Sequence, residues 1–288
     1  WVYMFRYWMS YQNRRFGESY WPAFKRSKNR KGIITILKEI TNLTFYWKCL
    51  PYHYFRYGLY DKKYSYHKIL NYLPETIFYY RILPRINKQM FILDDKNLFE
   101  EFLRGLNVQY PKTVLKINRG IIYDCDTHII ETDKDLDDVF KKSNLKKLFC
   151  KPSSWGSGGR DIFTLLLSNG YYYDTVGKKV NLQYFKNLSN NDWIIQEGVE
   201  NSLDLNRVYK YSVNSFRILT YFTPKSGAKV IYCILKFGNK KAFTDNAHTG
   251  GVYVRVDTVN GVLDDIAYDE NLFEYKKHPY TGYKFSGM

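Results

Sequence analysis

The residue types best suited to chemistry lie in Lys151-Pro152-Ser153-Ser154-Trp155-Gly156-Ser157-Gly158-Gly159-Arg160. Three glycines within four positions remove side chains and let backbone N–H groups approach an anion closely. Lys151 before the loop and Arg160 after it add positive charge. Such a loop suits a polyphosphate. Its spacing matches neither the P-loop nor the dinucleotide fingerprint, and a Gly/Ser cluster between strands also serves as a plain hairpin turn. Apolar runs on either side, Leu148 to Cys150 and Ile162 to Leu167, predict strand, loop, strand.

The surrounding chain must position this loop. Its 288 residues, 45% of them hydrophobic, are globular material sufficient for about two domains. No uninterrupted apolar run approaches the roughly 18 residues that span a bilayer, and no secretory signal is legible. Cys49, Cys125, Cys150 and Cys233 are widely spaced with no metal-ligand pattern, which points to a reducing, cytoplasmic setting. No serine, cysteine or histidine arrangement suggests a hydrolase or a zinc enzyme. The net charge of +16 is uneven: residues 1–95 hold 17 Lys/Arg against 6 Asp/Glu. A basic front half suits anionic partners, although a residue composition biased towards Lys, Asn, Ile, Tyr and Phe would also produce it.

Residues 1–60 are aromatic and basic, and Ile33, Ile34, Ile36, Leu37, Ile40 and Leu43 have helical spacing. Two or three helices are predicted there. Asp95 to Leu103 reads as an amphipathic helix start with acids in its first turn. Val114 to Ile117 and Gly120 to Tyr123 predict a hairpin, Asp133 to Lys142 a helix, and Leu148 to Leu167 the loop-bearing hairpin. Val180 to Leu188 predicts a helix and Asp192 to Val199 a strand. Further strands are expected at Ser215 to Phe222, Lys229 to Phe237 and Gly250 to Asp257. The mixture has no repeating β-α-β period, which favours α+β, and no internal repeat is legible.

Five segments in order resemble the ATP-grasp superfamily, and within it the sugar-transfer-associated branch. They are Asp95-Lys96-Asn97-Leu98-Phe99 with Pro111-Lys112-Thr113; Lys151 with the glycine loop; Ile194 to Val199; Ser212-Val213-Asn214-Ser215-Phe216-Arg217; and Lys236-Phe237-Gly238 followed by Asp245-Asn246 to Gly250-Gly251 and His278-Pro279-Tyr280-Thr281-Gly282. The resemblance covers about Asp94 to the C-terminus. It implies an ATP-grasp fold, two α+β subdomains clamping a nucleotide, with a helical basic region at residues 1–93. The nucleotide-binding region is then 94–288, divided into a glycine-loop subdomain at about 113–192 and a C-terminal subdomain at about 193–288.

By the same resemblance, Lys96, Lys151, Gly156, Ser157, Gly158 and Gly159 hold the triphosphate. Gln196, Glu197 and Val199 run past adenine, chiefly through backbone groups. Asp204, with Glu200 second, binds the ribose hydroxyls. Arg217, Lys236 and Asn246 sit near an acyl phosphate, with Lys236 where arginine is usual. ATP and Mg²⁺ are the implied cofactors. The implied activity is ATP-dependent carboxylate-amine ligation in cell-surface polysaccharide biosynthesis. Its partners are a carboxylate substrate, an amine or sugar-linked acceptor, and a membrane surface met by the basic N-terminal region. The family's late Glu-x-Asn metal pair has no counterpart after His278, so the metal ligands are unassigned and a fragment or a degenerate member is expected. Two alternatives stand beside this reading: a basic aromatic nucleic-acid-binding protein, disfavoured for want of a motif, and a non-catalytic grasp-fold partner of polysaccharide assembly.

Overall fold

The computed structural model describes residues 2–88, 91–154, 161–188 and 191–288, with residues 2–8 described by backbone alone. The chain divides into two compact units: Gln89–Ser202, and Trp1–Lys88 together with Leu203–Met288. Helices and antiparallel sheets are mixed in an α+β fold.

The first unit is built on strands β1 (Thr113–Asn118), β2 (Ile121–Asp124), β3 (Lys147–Pro152), β4 (Phe163–Ser168), β5 (Tyr171–Tyr173) and β6 (Trp193–Glu197). Their order across the sheet is β2-β1-β6-β3-β4-β5, antiparallel throughout. Alternation gives the sheet two different faces. Leu115, Ile117, Leu148, Cys150, Leu165, Tyr172, Trp193 and Ile195 form a core with Leu136 and Phe140 of the helix Asp133–Ser143, and with Leu182 and Phe185 of the helix Leu182–Lys186. The opposite positions, where Lys116, Ile194 and Lys151 are cross-strand neighbours, carry the charged residues.

A structural repeat lies at the two edges of this sheet. In both places a strand turns through two left-handed residues, Arg119-Gly120 and Asn169-Gly170, into a second strand that ends at an aspartate, Asp124, or just before one, Asp174. Asp124 Oδ1 accepts from the N–H groups of Asp126 and His128, and Asp174 Oδ1 accepts from those of Val176 and Lys178. A bridge and an N-capped helix follow, with Thr132 and Asn181 as the caps. Asp133 Oδ1 joins the copies by accepting from Leu182 N at 2.7 Å. Sequence reading missed this repeat because what recurs is backbone conformation; the pairs share little beyond Tyr123-Asp124 and Tyr173-Asp174.

The second unit has strands β7 (Ser215–Thr223), β8 (Gly227–Phe237), β9 (Val252–Val256), β10 (Leu263–Asp269) and β11 (Glu274–Tyr275), ordered β11-β10-β9-β8-β7. Val208, Tyr209, Leu235, Phe237, Val254, Ala267 and Phe285 form its sheet core. A separate cluster, including Phe24, Ile36, Leu43, Tyr54, Leu59 and Ile69, holds the N-terminal helices together. Those helices are fastened to the β10–β11 turn. Arg15 Nη2 lies 2.6 Å from Glu270 Oε1, Ser19 Oγ donates to Asn271 Oδ1 at 2.8 Å, and the Arg26 guanidinium stands 3.9 Å over the Phe273 ring.

Two boundaries differ from those read in the sequence. Trp193–Glu197, expected to open the C-terminal subdomain, lies between β1 and β3 in the first unit. Its residues Trp193, Ile194 and Ile195 are all buried, so the strand needs neighbours on both edges. The N-terminal helices share a compact unit with residues 203–288. Strands β5, β10 and β11 were not anticipated: Asp264, Asp265 and Asp269 break the apolar pattern of β10, yet the first two face solvent.

His278 is fully buried; its Nε2 lies 2.8 Å from Gly238 O, and its Nδ1 accepts from the N–H groups of Tyr280 and Thr281. The neutral Nε2–H tautomer satisfies all of these contacts, which makes it a structural turn residue. Burial lowers its pKa, and burial lowers that of His53 to about 4 from an ordinary 6.5. The unfolded chain therefore binds protons that the folded one refuses. Stability is expected to be full above pH 6.5 and to fall as pH drops from there towards 4. His53 alone accounts for about 3 kcal/mol of that loss. Thermal unfolding measured across this window checks it, and His53→Phe should flatten the slope.

Candidate functional site: a two-lysine sheet face

Asp95 caps the helix Lys96–Gly105 by accepting from the N–H groups of Asn97 and Leu98 at 2.8 and 3.1 Å. That cap fixes the first turn. It leaves Lys96 N donating to Ser153 O at 2.8 Å, with Lys96 Nζ 2.7 Å from Pro152 O. Lys96 thus reaches the residues that lead into the glycine loop. Gly156, Ser157, Gly158 and Gly159 themselves lie outside the described residues.

Lys151 points from β3 to the same side of the sheet as Lys116. Its Nζ donates to Gln196 Oε1 at 3.0 Å. Gln196 Nε2 donates in turn to Glu100 Oε2 and Thr113 Oγ1, both at 3.1 Å, and the Thr113 hydroxyl donates to Glu100. Lys116 Nζ, 3.3 Å from Glu100 Oε1, closes the network. Glu100 is only 2% exposed, so its carboxylate depends on these donors. Glu100→Ala is expected to cost about 1–3 kcal/mol: the Thr113 hydroxyl loses its acceptor, while Lys116 keeps Glu101 at 3.3 Å and the Gln196 amide keeps Thr113 Oγ1 and Pro111 O. Denaturant unfolding measures this; a loss below about 1 kcal/mol contradicts the network.

Burial, first of all, lowers the pKa of both Lys96 and Lys151; the charge of Lys96 lowers that of Lys151 further, while Asp95 opposes the effect on Lys96. Neither amine has a carboxylate within ion-pair distance among the described residues. Two neighbouring cations with no carboxylate partner among the described residues suit a polyanion.

The segment expected beside adenine takes a more structural part. Gln196 is buried and is the relay between Lys151 and Glu100. The backbone N–H of Glu197 donates to Lys112 O and that of Gly198 to Lys147 O, each at 2.8 Å. These donors are engaged within the protein. Val199, exposed, lies just beyond the strand. Asp204 belongs to the other unit, on the helix Leu203–Val208, exposed and paired with Arg207 at 3.2 Å.

In that second unit, Lys236 on β8 is opposite Ser215 on β7, and Arg217 is opposite Ile234 two positions along, so both cations share a face. Lys236 Nζ lies 3.1 Å from Asp245 Oδ1. Asp245 Oδ2 accepts from Ser215 N at 3.0 Å and from the Ser215 hydroxyl. Asn246 accepts through its carbonyl oxygen from the N–H groups of Thr249 and Gly251, both at 3.0 Å. β7 is the edge strand and Arg217 is exposed, without an ion pair among the described residues, so its charge reaches solvent.

Sequence reading also missed Glu100, Thr113, Lys116 and Asp245. The available signals were a glutamate one turn from Lys96 and a lysine inside the apolar run Val114 to Ile117.

The residues present do not fit a magnesium ion at the lysine pair. Among the described residues, the group gathered closely enough for a cation is Asp124, Asp126 and His128. It lies by the outermost strand β2, three strand spacings or about 14 Å from β3, and Asp124 Oδ1 is already occupied by two backbone N–H groups.

A sheet with one hydrophobic face and one cationic face beside a glycine-rich loop defines a nucleotide-binding class of protein. The chain belongs to the sugar-transfer associated ATP-grasp family, whose model matches residues 78–288. No curated protein and no solved structure matches it.

Proposed function

We propose that this chain is an ATP-dependent ligase that joins a carboxylate to an amine or sugar-linked acceptor through an acyl phosphate. The observation that carries the reading is the pair Lys96 and Lys151, neighbouring amines that have no carboxylate partner among the described residues and that adjoin the glycine loop in sequence and contact. A carboxylate oxygen attacks the γ-phosphorus, the bond to the β-phosphate oxygen breaks, and ADP leaves with that electron pair. The acceptor amine then attacks the acyl carbon, inorganic phosphate departs, and the amine loses its proton. Lys96 and Lys151 hold the triphosphate, while Arg217, Lys236 and Asn246 serve the acyl phosphate. Positioning and charge neutralisation do the catalytic work. The family's association with sugar transfer supports a function in surface polysaccharide assembly. Titration calorimetry of the full chain with ATP and magnesium tests the reading: saturable binding is expected, and its absence rejects the assignment.

A further inference from the structure

The helix Ile33–Trp47 is amphipathic in an unusual sense. Its inner face buries Ile36 and Leu43 in the helical core, and buries Glu39 with them. Glu39 is the helix's one acid, and it is neutralised there: Lys31 Nζ lies 2.9 and 3.0 Å from its two oxygens, and the Tyr54 hydroxyl donates to it at 2.6 Å. The outer face carries Ile34, Leu37, Lys38, Thr41, Phe45 and, at the cap, Lys48, all exposed. Ile34 is 80% and Phe45 76% exposed, and Ile33, Tyr46 and Leu50 flank them. The outer stripe therefore holds large apolar side chains and two lysines with no acid. Exposed Lys25, Arg26, Lys28 and Arg30 precede the helix in sequence.

We infer that this outer face docks on an anionic membrane surface, lying in the interfacial plane with Ile34, Leu37 and Phe45 turned into it. Apolar side chains flanked by cations match a boundary that is hydrophobic beneath and negatively charged above. The charges also select the occupant. A second copy docked face to face would set Lys38 and Lys48 against their own counterparts, with no acid on the stripe to pair them. No helix among the described residues is long and apolar enough to span a membrane. This inference stands independently of the ligase reading.

Vesicle flotation of the full chain tests it, using phosphatidylcholine vesicles with and without phosphatidylglycerol. Two double variants accompany the wild type: Ile34→Asp with Phe45→Asp, and Lys38→Glu with Lys48→Glu. All four positions are exposed, so an unchanged Tm is expected and verifies folding. The wild type should float with the anionic vesicles, bind pure phosphatidylcholine more weakly, and lose affinity as salt rises. Each double variant should bind at least about tenfold more weakly. Absence of flotation with anionic vesicles overturns the inference, as does wild-type binding by either double variant. Concentration-dependent self-association that the variants abolish, without vesicle binding, would assign the face to a second copy instead.

Discussion

Lys151→Ala is expected to remove the stabilisation that ATP confers on the full chain. An ammonium–phosphate contact made by a half-buried lysine contributes about 1.5–3 kcal/mol, so its loss weakens binding by about 10- to 100-fold. At an ATP concentration near ten times the wild-type Kd, bound nucleotide stabilises the fold by about 1.4 kcal/mol. The variant should retain only about 0.1–0.4 kcal/mol under the same conditions. Stability without nucleotide is expected to move differently. Burial and the charge of Lys96 both disfavour the Lys151 ammonium in the folded protein. Lys151→Met, which keeps the aliphatic stem, should therefore preserve the nucleotide-free Tm while losing the ATP response. Thermal melts of the three proteins with and without ATP–magnesium decide the matter. An ATP shift equal to wild type in both variants would reject the phosphate role.

The second large effect concerns a pair of adjacent glycines. A Cβ at Gly251 would lie 2.7 Å from Asp245 O, 2.8 Å from Asn246 O and 2.8 Å from Phe237 O. All three are backbone oxygens at the end of β8 and in the turn carrying Asp245, so no flexible side chain can yield. Gly251→Ala is expected to cost about 3 kcal/mol or more, lowering Tm by about 6–12 °C. Gly250 is the contrast. It has a left-handed φ of 88° but open space around the missing Cβ, so Gly250→Ala should cost only about 1 kcal/mol of backbone strain. Gly251 has no left-handed φ, so a cost at Gly251→Ala no larger than at Gly250→Ala would reject close approach as the constraint there. Loss at Gly251 should also loosen the Lys236–Asp245–Ser215 contacts, because Asp245 carries one of the displaced oxygens.

Much of the local structure was legible because local rules govern it. The helix start near Asp95, the helical spacing from Ile33 to Leu43 and the apolar runs around the glycine loop each have a short-range cause, and the elements formed where those causes pointed, although Asp95 caps its helix from outside the first turn. The ordered motifs sufficed to identify the family, since type and order along a chain are properties of sequence. What depended on distant partners was not legible. Ile194-Ile195 predicts a strand, but only packing decided that it sits between β1 and β3. Nothing near Gln196 reveals that its amide joins Lys151, 45 positions away, to Glu100, 96 positions away. The apolar neighbours of Arg217 in sequence do not say whether it is buried; its place on an edge strand gives it solvent. Side-chain type and helical period are written residue by residue, while strand neighbours, burial and counter-ions arise from contacts between remote segments, which only the folded chain specifies.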